Sequence, residues 1–193
     1  MIKIMRPDCP YPQALENKDY KHPNNKSALI KASHGKCMYC ESKVSHIYFG
    51  DIEHIKPKTK DKFPELEFVW ENHGFCCAIC NNNKSDKYLT DCPFIDPYFE
   101  NPELHFFFAG SFIFKKNGCE RAEYTINEID LNRPELLEKR MESISAIESL
   151  ISASHRIKNE VVREKAAAEI DRYASNDREF SMCIKSFIFA SRL

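Results

Sequence analysis

The sequence lacks the long apolar runs of membrane proteins, and it carries almost no net charge. No stretch approaches the roughly 20 apolar residues that span a bilayer, and the first residues, MIKIMRPDCPYPQ, lack the apolar segment of a signal peptide. We therefore expect a cytoplasmic protein with no membrane association. The net charge of −1 is not the basic balance of a free-standing nucleic-acid binder, although residues 1–50 carry eight Lys/Arg against four Asp/Glu.

Nine cysteines stand in this chain, and four of them form two closely spaced pairs. The cytosol keeps thiols reduced, so metal ligation is a better interpretation than a disulfide framework. Two residues between the thiolates allow a tight turn to aim both sulfurs at one tetrahedral zinc ion. The pairs that predict this structural zinc site are Cys37 with Cys40 and Cys77 with Cys80. The alternative is that they are small apolar residues of the core.

The run FCCAIC offers both Cys76 and Cys77 as the third ligand, and only Cys77 has the two-residue spacing to Cys80. We therefore assign Cys77 to the zinc site. Thirty-six residues separate Cys40 from Cys77, which exceeds the roughly 15–20 of a simple zinc ribbon. A segment must be looped out between the two pairs, and it contains the stretch DIEHIKPK around His54.

The remaining patterns predict an α+β protein. Residues 1–24 are punctuated by proline and asparagine and indicate an irregular segment. The stretch NNKSALIKASHGK predicts a short helix that ends at Gly35, and LHFFFAGSFIFKK (104–116) predicts a β-hairpin. We divide the chain into a cysteine-flanked α+β domain, residues 1–124, and a helical C-terminal part, residues 125–193.

The helical part shows helix-start signals and apolar residues at helical spacing. Thr125 as N-cap and Glu128 three residues later fit a capping box. Two more helical stretches follow at about 157–174 and 177–191. A further helix is predicted after the capping box and before these two stretches. Its apolar face is formed by Leu137, Met141, Ile144, Ile147 and Ile151.

The segment between and around the cysteine pairs resembles the HNH endonuclease family, whose site is the ββα-metal or His-Me finger. The family pattern is an acid–His pair on the first strand, an Asn before the second strand, and a His or Asn that opens the helix. Here these positions are Glu53-His54-Ile55 with Pro57, Trp70-Glu71-Asn72, and Asn81 with Lys84. The resemblance implies a zinc-braced ββα-metal core with a helical C-terminal part.

The resemblance is specific over about residues 37–88 and continues more weakly through 94–140. There the chain is similar to the HNH component of Septu-type anti-phage systems, which also accompany some retrons. Those components work with an ABC/SMC-like ATPase. The resemblance therefore implies a nuclease that acts in a hetero-oligomer with such an ATPase.

The residue chemistry agrees with metal-dependent phosphodiester hydrolysis. An ordinary histidine titrates near pH ~6.5, so a neutral His54 is available to take the proton of the attacking water. Glu53 and the amide oxygen of Asn81 are hard ligands that suit Mg²⁺ or Mn²⁺. Lys84 is expected to contact a backbone phosphate, and Asn72 to orient the loop that bears the base without touching substrate.

Each role has an ordinary alternative. A histidine in a charged loop is usually solvated, Glu53 could pair with Lys56 or Lys58, and Asn81 could simply cap the helix. A regular strand also sends Glu53 and His54 to opposite faces, so both serve one site only if the strand bends.

Two further residues near the motif are set aside. Asp51 is assigned to the surroundings of the site rather than to the metal ligands, and His73 has no spacing that recommends it. Because Asn81 stands where many relatives have His, the identity of the catalytic cation stays open between Mg²⁺ and Mn²⁺.

Charge indicates that the nuclease segment binds nucleic acid poorly by itself. Phosphate contacts supply most non-specific affinity, and residues 51–90 hold six Lys against seven Asp/Glu. A partner that delivers DNA or RNA is therefore expected. The apolar stripe of the last helix is a candidate docking face for it, formed by Phe180, Ile184, Phe187 and Ile188.

Two other functions compete with this one. The same site would serve a nuclease that cuts RNA, for example tRNA. A non-catalytic zinc-knuckle module that binds nucleic acid or protein would keep the four cysteines and would not need His54 with Asn81.

Overall fold

The computed structural model describes residues 1–44 and 50–192, which form helices and two small antiparallel sheets. The helices are α1 (Pro12–Glu16), α2 (Pro23–Ala32), α3 (Ala78–Lys84), α4 (Glu120–Ile129), α5 (Pro134–His155), α6 (Glu160–Arg172) and α7 (Ser181–Ala190). The strands are β1 (Asp51–His54), β2 (His73–Cys76), β3 (Phe106–Ala109) and β4 (Phe112–Lys115). The mixture confirms the α+β prediction, and β3–β4 is the predicted hairpin. Within the described residues, no helix is both long and apolar enough to cross a membrane.

The strands β1 and β2 and the helix α3 form a ββα unit. β1 runs antiparallel to β2, with Glu53 opposite Gly74 and His54 opposite His73. A Cβ at Gly74 would come 2.4 Å from the sulfur of Met38, so glycine is needed for this close approach. Met38 lies inside the first CxxC pair, and its N–H donates to a β2 carbonyl at 2.9 Å. The strand pair therefore holds the first cysteine turn in place.

The N-terminal segment is part of the core, whereas its composition predicts only an irregular stretch. Met1 and Ile4 are buried. Arg6 donates to the carbonyls of Trp70 and His73 at 3.1 and 2.7 Å. Proline and asparagine limit regular backbone structure, but they do not prevent neighbouring apolar side chains from packing.

The predicted capping box at Thr125 is wrong. Helix α4 begins at Glu120, and Thr125 lies inside it. Its hydroxyl donates to the carbonyl of Arg121 at 2.7 Å and accepts the N–H of Ile95 at 3.0 Å. A threonine inside a helix can bond to the carbonyl four residues earlier, so the T-x-x-E pattern does not by itself mark a helix start.

The buried side of α5 differs from the predicted apolar stripe by one residue in its first half. Leu136 and Arg140 are buried there, whereas Met141 is exposed. Arg140 donates to the carbonyls of Ser111 and Leu131 at 3.2 and 2.9 Å. Because these bonds satisfy part of the guanidinium, an arginine occupies a position that the apolar pattern assigns to a hydrophobic residue.

The apolar side of α7 packs inside the chain and is not free to dock a partner. Phe180, Ile184 and Ile188 are buried. The helix contacts β3 and α5, which cover this side. The stripe predicted as a docking face therefore belongs to the protein's own core.

The two predicted parts of the chain share one hydrophobic core in the residues described. A buried ionic cluster also links them. Glu41 lies 3.0 Å from the Met1 ammonium and 2.9 Å from Lys36, and it accepts from the Ser181 hydroxyl at 2.6 Å. The division at residue 125 stays a prediction about folding units.

Candidate active site and metal centre

The four cysteines of the two CxxC pairs come together where α3 begins. Their sulfurs lie within 4.8 Å of one another, and Cys40 Sγ is 3.9 Å from Cys77 Sγ. Zinc–sulfur bonds of ~2.3 Å in a tetrahedron place the sulfurs about 3.8 Å apart, so these thiolates fit such an ion. The cluster consists of Cys37, Cys40, Cys77 and Cys80.

Cys76 precedes this cluster in sequence but its side chain points elsewhere. It ends β2, and its Sγ lies 3.7 Å from Glu53 Oε2. Successive side chains of a strand leave opposite faces, so Cys77 faces the cluster when Cys76 faces Glu53. Cys77 is also the N-cap of α3, and its sulfur accepts the N–H of Cys80 at 3.5 Å.

A buried arginine from the helical part lies against the cysteine cluster. Arg133, the N-cap of α5, donates to Cys80 Sγ at 3.7 Å and to the Asp130 carbonyl at 3.1 Å. Four thiolates around a divalent ion carry a net charge of about −2, which a nearby guanidinium partly offsets. Sequence reasoning missed Arg133, because it is 53 residues from Cys80 and no spacing links them.

A cleft of about 420 Å³ lies between β1, α3 and the segments around residues 20 and 58. It brings together the predicted residues Glu53, His54 and Asn81. Two further groups in its wall, Asp51 and Lys58, were not assigned to the site from sequence. Tyr20 and Lys21 of the N-terminal segment complete this part of the wall. The cleft therefore combines a histidine with amide, carboxylate and ammonium groups.

The imidazole of His54 is held by a backbone carbonyl. Its Nε2 lies 3.0 Å from the oxygen of Glu67. A carbonyl oxygen only accepts hydrogen bonds, so Nε2 carries the proton and Nδ1 carries the lone pair. Burial is the main cause that lowers the pKa of His54 to about 4. The hydrogen bond to Glu67 raises this pKa, whereas the nearby His73 and Lys58 lower it further. His54 is therefore neutral at pH 7.

His73 lies next to His54, although nothing in its spacing indicated this. Its Nε2 is 2.8 Å from the same Glu67 oxygen. The two rings are 4.9 Å apart and nearly perpendicular, and Tyr20 packs edge-on to His54 at 4.7 Å. The only signal that could have found His73 is the β1–β2 register, which pairs it with His54.

Asn72 is buried and fastens the loop between β1 and β2. Its Oδ1 accepts the N–H of Lys56 at 2.8 Å. Its Nδ2 donates to the carbonyls of Lys56 and Leu66 at 2.9 and 3.1 Å. These bonds join the two ends of the loop that leads to Glu67, so Asn72 acts on loop geometry and is not among the residues lining the cleft.

Glu53 and Lys84 form a buried ion pair. Glu53 Oε1 lies 2.6 Å from Lys84 Nζ, and the side chains are 2% and 1% exposed. Lys84 also donates to the His54 carbonyl at 2.9 Å. Burial raises the pKa of Glu53, although Lys84 opposes this shift. The structure thus places Lys84 in the core and not where sequence predicts a phosphate contact, while Glu53 as a metal ligand stays a prediction.

Asn81 faces the cleft from the first turns of α3. Its Nδ2 lies 3.3 Å from Asp51 Oδ2. The helix N-cap is Cys77, so the capping role considered for Asn81 belongs to the cysteine. Asp51 and Glu53 share one face of β1, but Asp51 is partly exposed at the cleft whereas Glu53 is buried.

The ββα unit, the four-cysteine cluster and the cleft histidine on β1 define the class of protein. Residues 37–87 match the family model described as HNH endonuclease. The chain carries an HNH endonuclease domain and is a nuclease.

The relatives extend this similarity beyond the domain. The chain is 26% identical over 215 aligned positions to Septu protein PtuB of Bacillus thuringiensis, covering 98% of this chain and 82% of the relative. It is 27% identical over 158 positions to Septu protein PtuB of Bacillus mycoides (strain KBAB4), covering 67% and 54%. A Vibrio cholerae serotype O1 biovar El Tor protein, named for retron Vc95 and as an HNH endonuclease, is 28% identical over 142 positions, covering 66% and 67%.

Proposed function

We propose that this protein is a metal-dependent endonuclease that hydrolyses phosphodiester bonds as the effector of an anti-phage system. One observation carries the proposal. His54, with Nε2 bound to a backbone carbonyl, lines the same cleft as Asp51 and Asn81. A neutral base and hard oxygen donors in one cleft are the groups that phosphodiester hydrolysis requires.

His54 is the general base of the proposed reaction. Its Nδ1 lone pair takes the proton of the attacking water, and the Glu67 carbonyl stabilises the orientation of the ring. Asn72 holds the loop that presents this carbonyl. Lys58, paired with Glu67 Oε1 at 2.8 Å, and Lys21 supply positive charge in the cleft wall for the backbone phosphates of the substrate.

The donor sets fit two different ions. The four cysteine sulfurs fit a structural zinc ion, which would brace the start of α3. In the cleft, the amide of Asn81 and the β1 carboxylates of Glu53 and Asp51 suit Mg²⁺ or Mn²⁺. Such a cation supplies positive charge where negative charge develops on the phosphate oxygens.

The nuclease is further proposed to act in a hetero-oligomer with an ABC/SMC-like ATPase. The similarity to Septu PtuB along nearly the whole chain supports this partner. The apolar side of α7 is buried. The surface proposed to contact the ATPase is therefore the outer face of the β3–β4 hairpin. Three phenylalanines more than 40% exposed stack there, Phe107, Phe112 and Phe114. A Phe112→Ser variant should lose co-purification with the neighbouring ATPase, whereas Phe99→Ser, at another exposed phenylalanine, should keep it.

The nuclease proposal is tested by cleavage of plasmid DNA, RNA and tRNA with Mg²⁺ or Mn²⁺, with and without the ATPase. Wild-type protein should cut at least one of these substrates, and a chelator should stop the reaction. His54→Ala should retain its zinc and its circular dichroism spectrum but lose cleavage. His155→Ala, at an exposed histidine on α5, is the matched control and should cut normally. Undiminished cleavage by His54→Ala would contradict the base assignment.

A further inference from the structure

A cysteine, a histidine and a glutamate are linked by hydrogen bonds outside the cleft. Cys119 Sγ lies 3.6 Å from His105 Nδ1, and His105 Nε2 lies 2.9 Å from Glu100 Oε2. Arg121 donates to both oxygens of Glu100, from Nη1 to Oε2 at 3.1 Å and from Nη2 to Oε1. Among the residues described, none of these four lines the cleft. The group is therefore separate from the proposed nuclease site.

The hydrogen bonds define what each nitrogen of His105 does. Burial raises the pKa of Glu100, but the hydrogen bond and charge of Arg121 outweigh burial and lower it. Glu100 is therefore a carboxylate at pH 7, and a carboxylate only accepts hydrogen bonds, so His105 Nε2 donates to it. In the neutral imidazole the other nitrogen, Nδ1, then carries the lone pair and faces the Cys119 thiol.

The same three groups do not suit a metal ion. Cys119 and Glu100 bond to opposite nitrogens of the imidazole, so their ligand atoms do not converge on one point. Within the residues described, the convergent set of ligand atoms is the four-cysteine cluster. The geometry instead matches a nucleophile, a base within hydrogen-bond reach of it, and a third group that orients the base.

Cys119 lies in a surface turn that a small molecule can reach. The residue is partly exposed and is the N-cap of α4. The preceding Gly118 has a positive φ, and a Cβ built there meets no atom within 4 Å, so the space beside the turn is open. The first turn of a helix also favours negative charge, which suits the anion that a thiol must become before it attacks.

We propose that Cys119 is a nucleophilic thiol that reacts with low-molecular-weight disulfides, with His105 as its base and Glu100 as the residue that orients this base. His105 Nδ1 takes the thiol proton, and the Cys119 sulfur attacks one sulfur of the disulfide. A bond forms between these two sulfurs, the sulfur–sulfur bond of the reagent breaks, and the leaving thiolate takes the proton from His105. The reagent is reduced and Cys119 is oxidised to a mixed disulfide, so no further reactant is needed.

The test is the rate of mixed-disulfide formation with oxidised glutathione at pH 7, located by mass spectrometry of the zinc-loaded full chain. Cys9 is the matched internal control, because it is also partly exposed but its thiol donates to the Asn25 amide oxygen at 3.6 Å and meets no base there. A free thiol is only a few per cent ionised at pH 7, so Cys119 should react about tenfold faster than Cys9. Equal rates at the two cysteines would overturn the proposal.

A second measurement separates a base from a structural histidine. His105→Gln keeps a polar side chain but cannot take the proton, so Cys119 should react about tenfold more slowly at pH 7. At pH 10, above the ~8.5 at which ordinary thiols titrate, its rate should match wild type. His155→Gln, at an exposed histidine of α5, is the control and should react like wild type at both pH values.

Two outcomes of this measurement contradict the assignment of His105. One is an unchanged rate at pH 7. The other is a rate that falls equally at pH 7 and pH 10, because His105 would then only shape the turn around Cys119. The comparison of Cys119 with Cys9 uses wild-type protein, so it tests the proposal even where His105→Gln fails to fold.

Discussion

The buried Glu53–Lys84 pair leads to a quantitative prediction for stability. Two unit charges 2.6 Å apart attract each other by about 6 kcal/mol at an effective dielectric constant of ~20. Lys84→Met removes this attraction and leaves the Glu53 carboxylate buried without a counter-charge, although it also removes the cost of burying the ammonium. Losing one partner of a buried pair typically costs about 3–5 kcal/mol, and we expect that loss here.

The assay is thermal unfolding of the zinc-loaded protein at pH 7. For a chain of this size, each kcal/mol corresponds to about 2–4 °C, so Lys84→Met should lower the midpoint by roughly 6–20 °C. Lys58→Met is the matched control, because its pair with Glu67 is 2.8 Å long but about one third exposed. An exposed pair contributes at most about 1 kcal/mol, so Lys58→Met should lower the midpoint by only a few degrees.

The stability loss should also depend on pH. Burial raises the pKa of Glu53 even with Lys84 present, and without Lys84 the carboxyl should take up a proton more readily. A carboxyl with a raised folded pKa binds more protons in the folded state, so its destabilising effect grows as the pH rises. The difference between Lys84→Met and wild type should therefore shrink from pH 7 to pH 5. A Lys84→Met midpoint equal to that of Lys58→Met would refute the reasoning.

The other predictions concern zinc, the buried ionic cluster and the pH profile. Metal analysis should find about one zinc per chain; Cys77→Ser should lose it and Cys76→Ser should keep it, and equal zinc content in both variants would contradict the cluster. Glu41→Gln leaves two buried ammonium groups without a counter-charge, so chemical denaturation should show a free energy of unfolding lower by about 3–5 kcal/mol. The control Glu142→Gln, on an exposed helix face, should lower it by at most about 0.5 kcal/mol. The acid limb of kcat/KM for cleavage should lie near pH 4, because His54 stays neutral down to its pKa of about 4. An acid limb near pH 6.5 would show that burial does not shift this group.

Much of the fold and site could be predicted because the signals are local. Two residues between cysteines fit one tight turn, so spacing alone favours Cys77 over Cys76, and the structure places Cys77 in the cluster. The hairpin was predicted from two apolar runs around a turn. The ordered motif also led to His54 and Asn81, which meet in one cleft although 26 residues separate them.

The sequence by itself thus determined the residue types, their order and the class of site. Only the tertiary structure decided which partner each charged side chain takes. Asp51 and Glu53 have the same chemistry and the same strand face, but Lys84 reaches Glu53 from α3 and compensates its charge, whereas Asp51 contacts Asn81. A charge is buried only where a counter-charge or hydrogen-bond partner meets it. That partner lies 31 residues further along the chain for Glu53, where no spacing rule reaches.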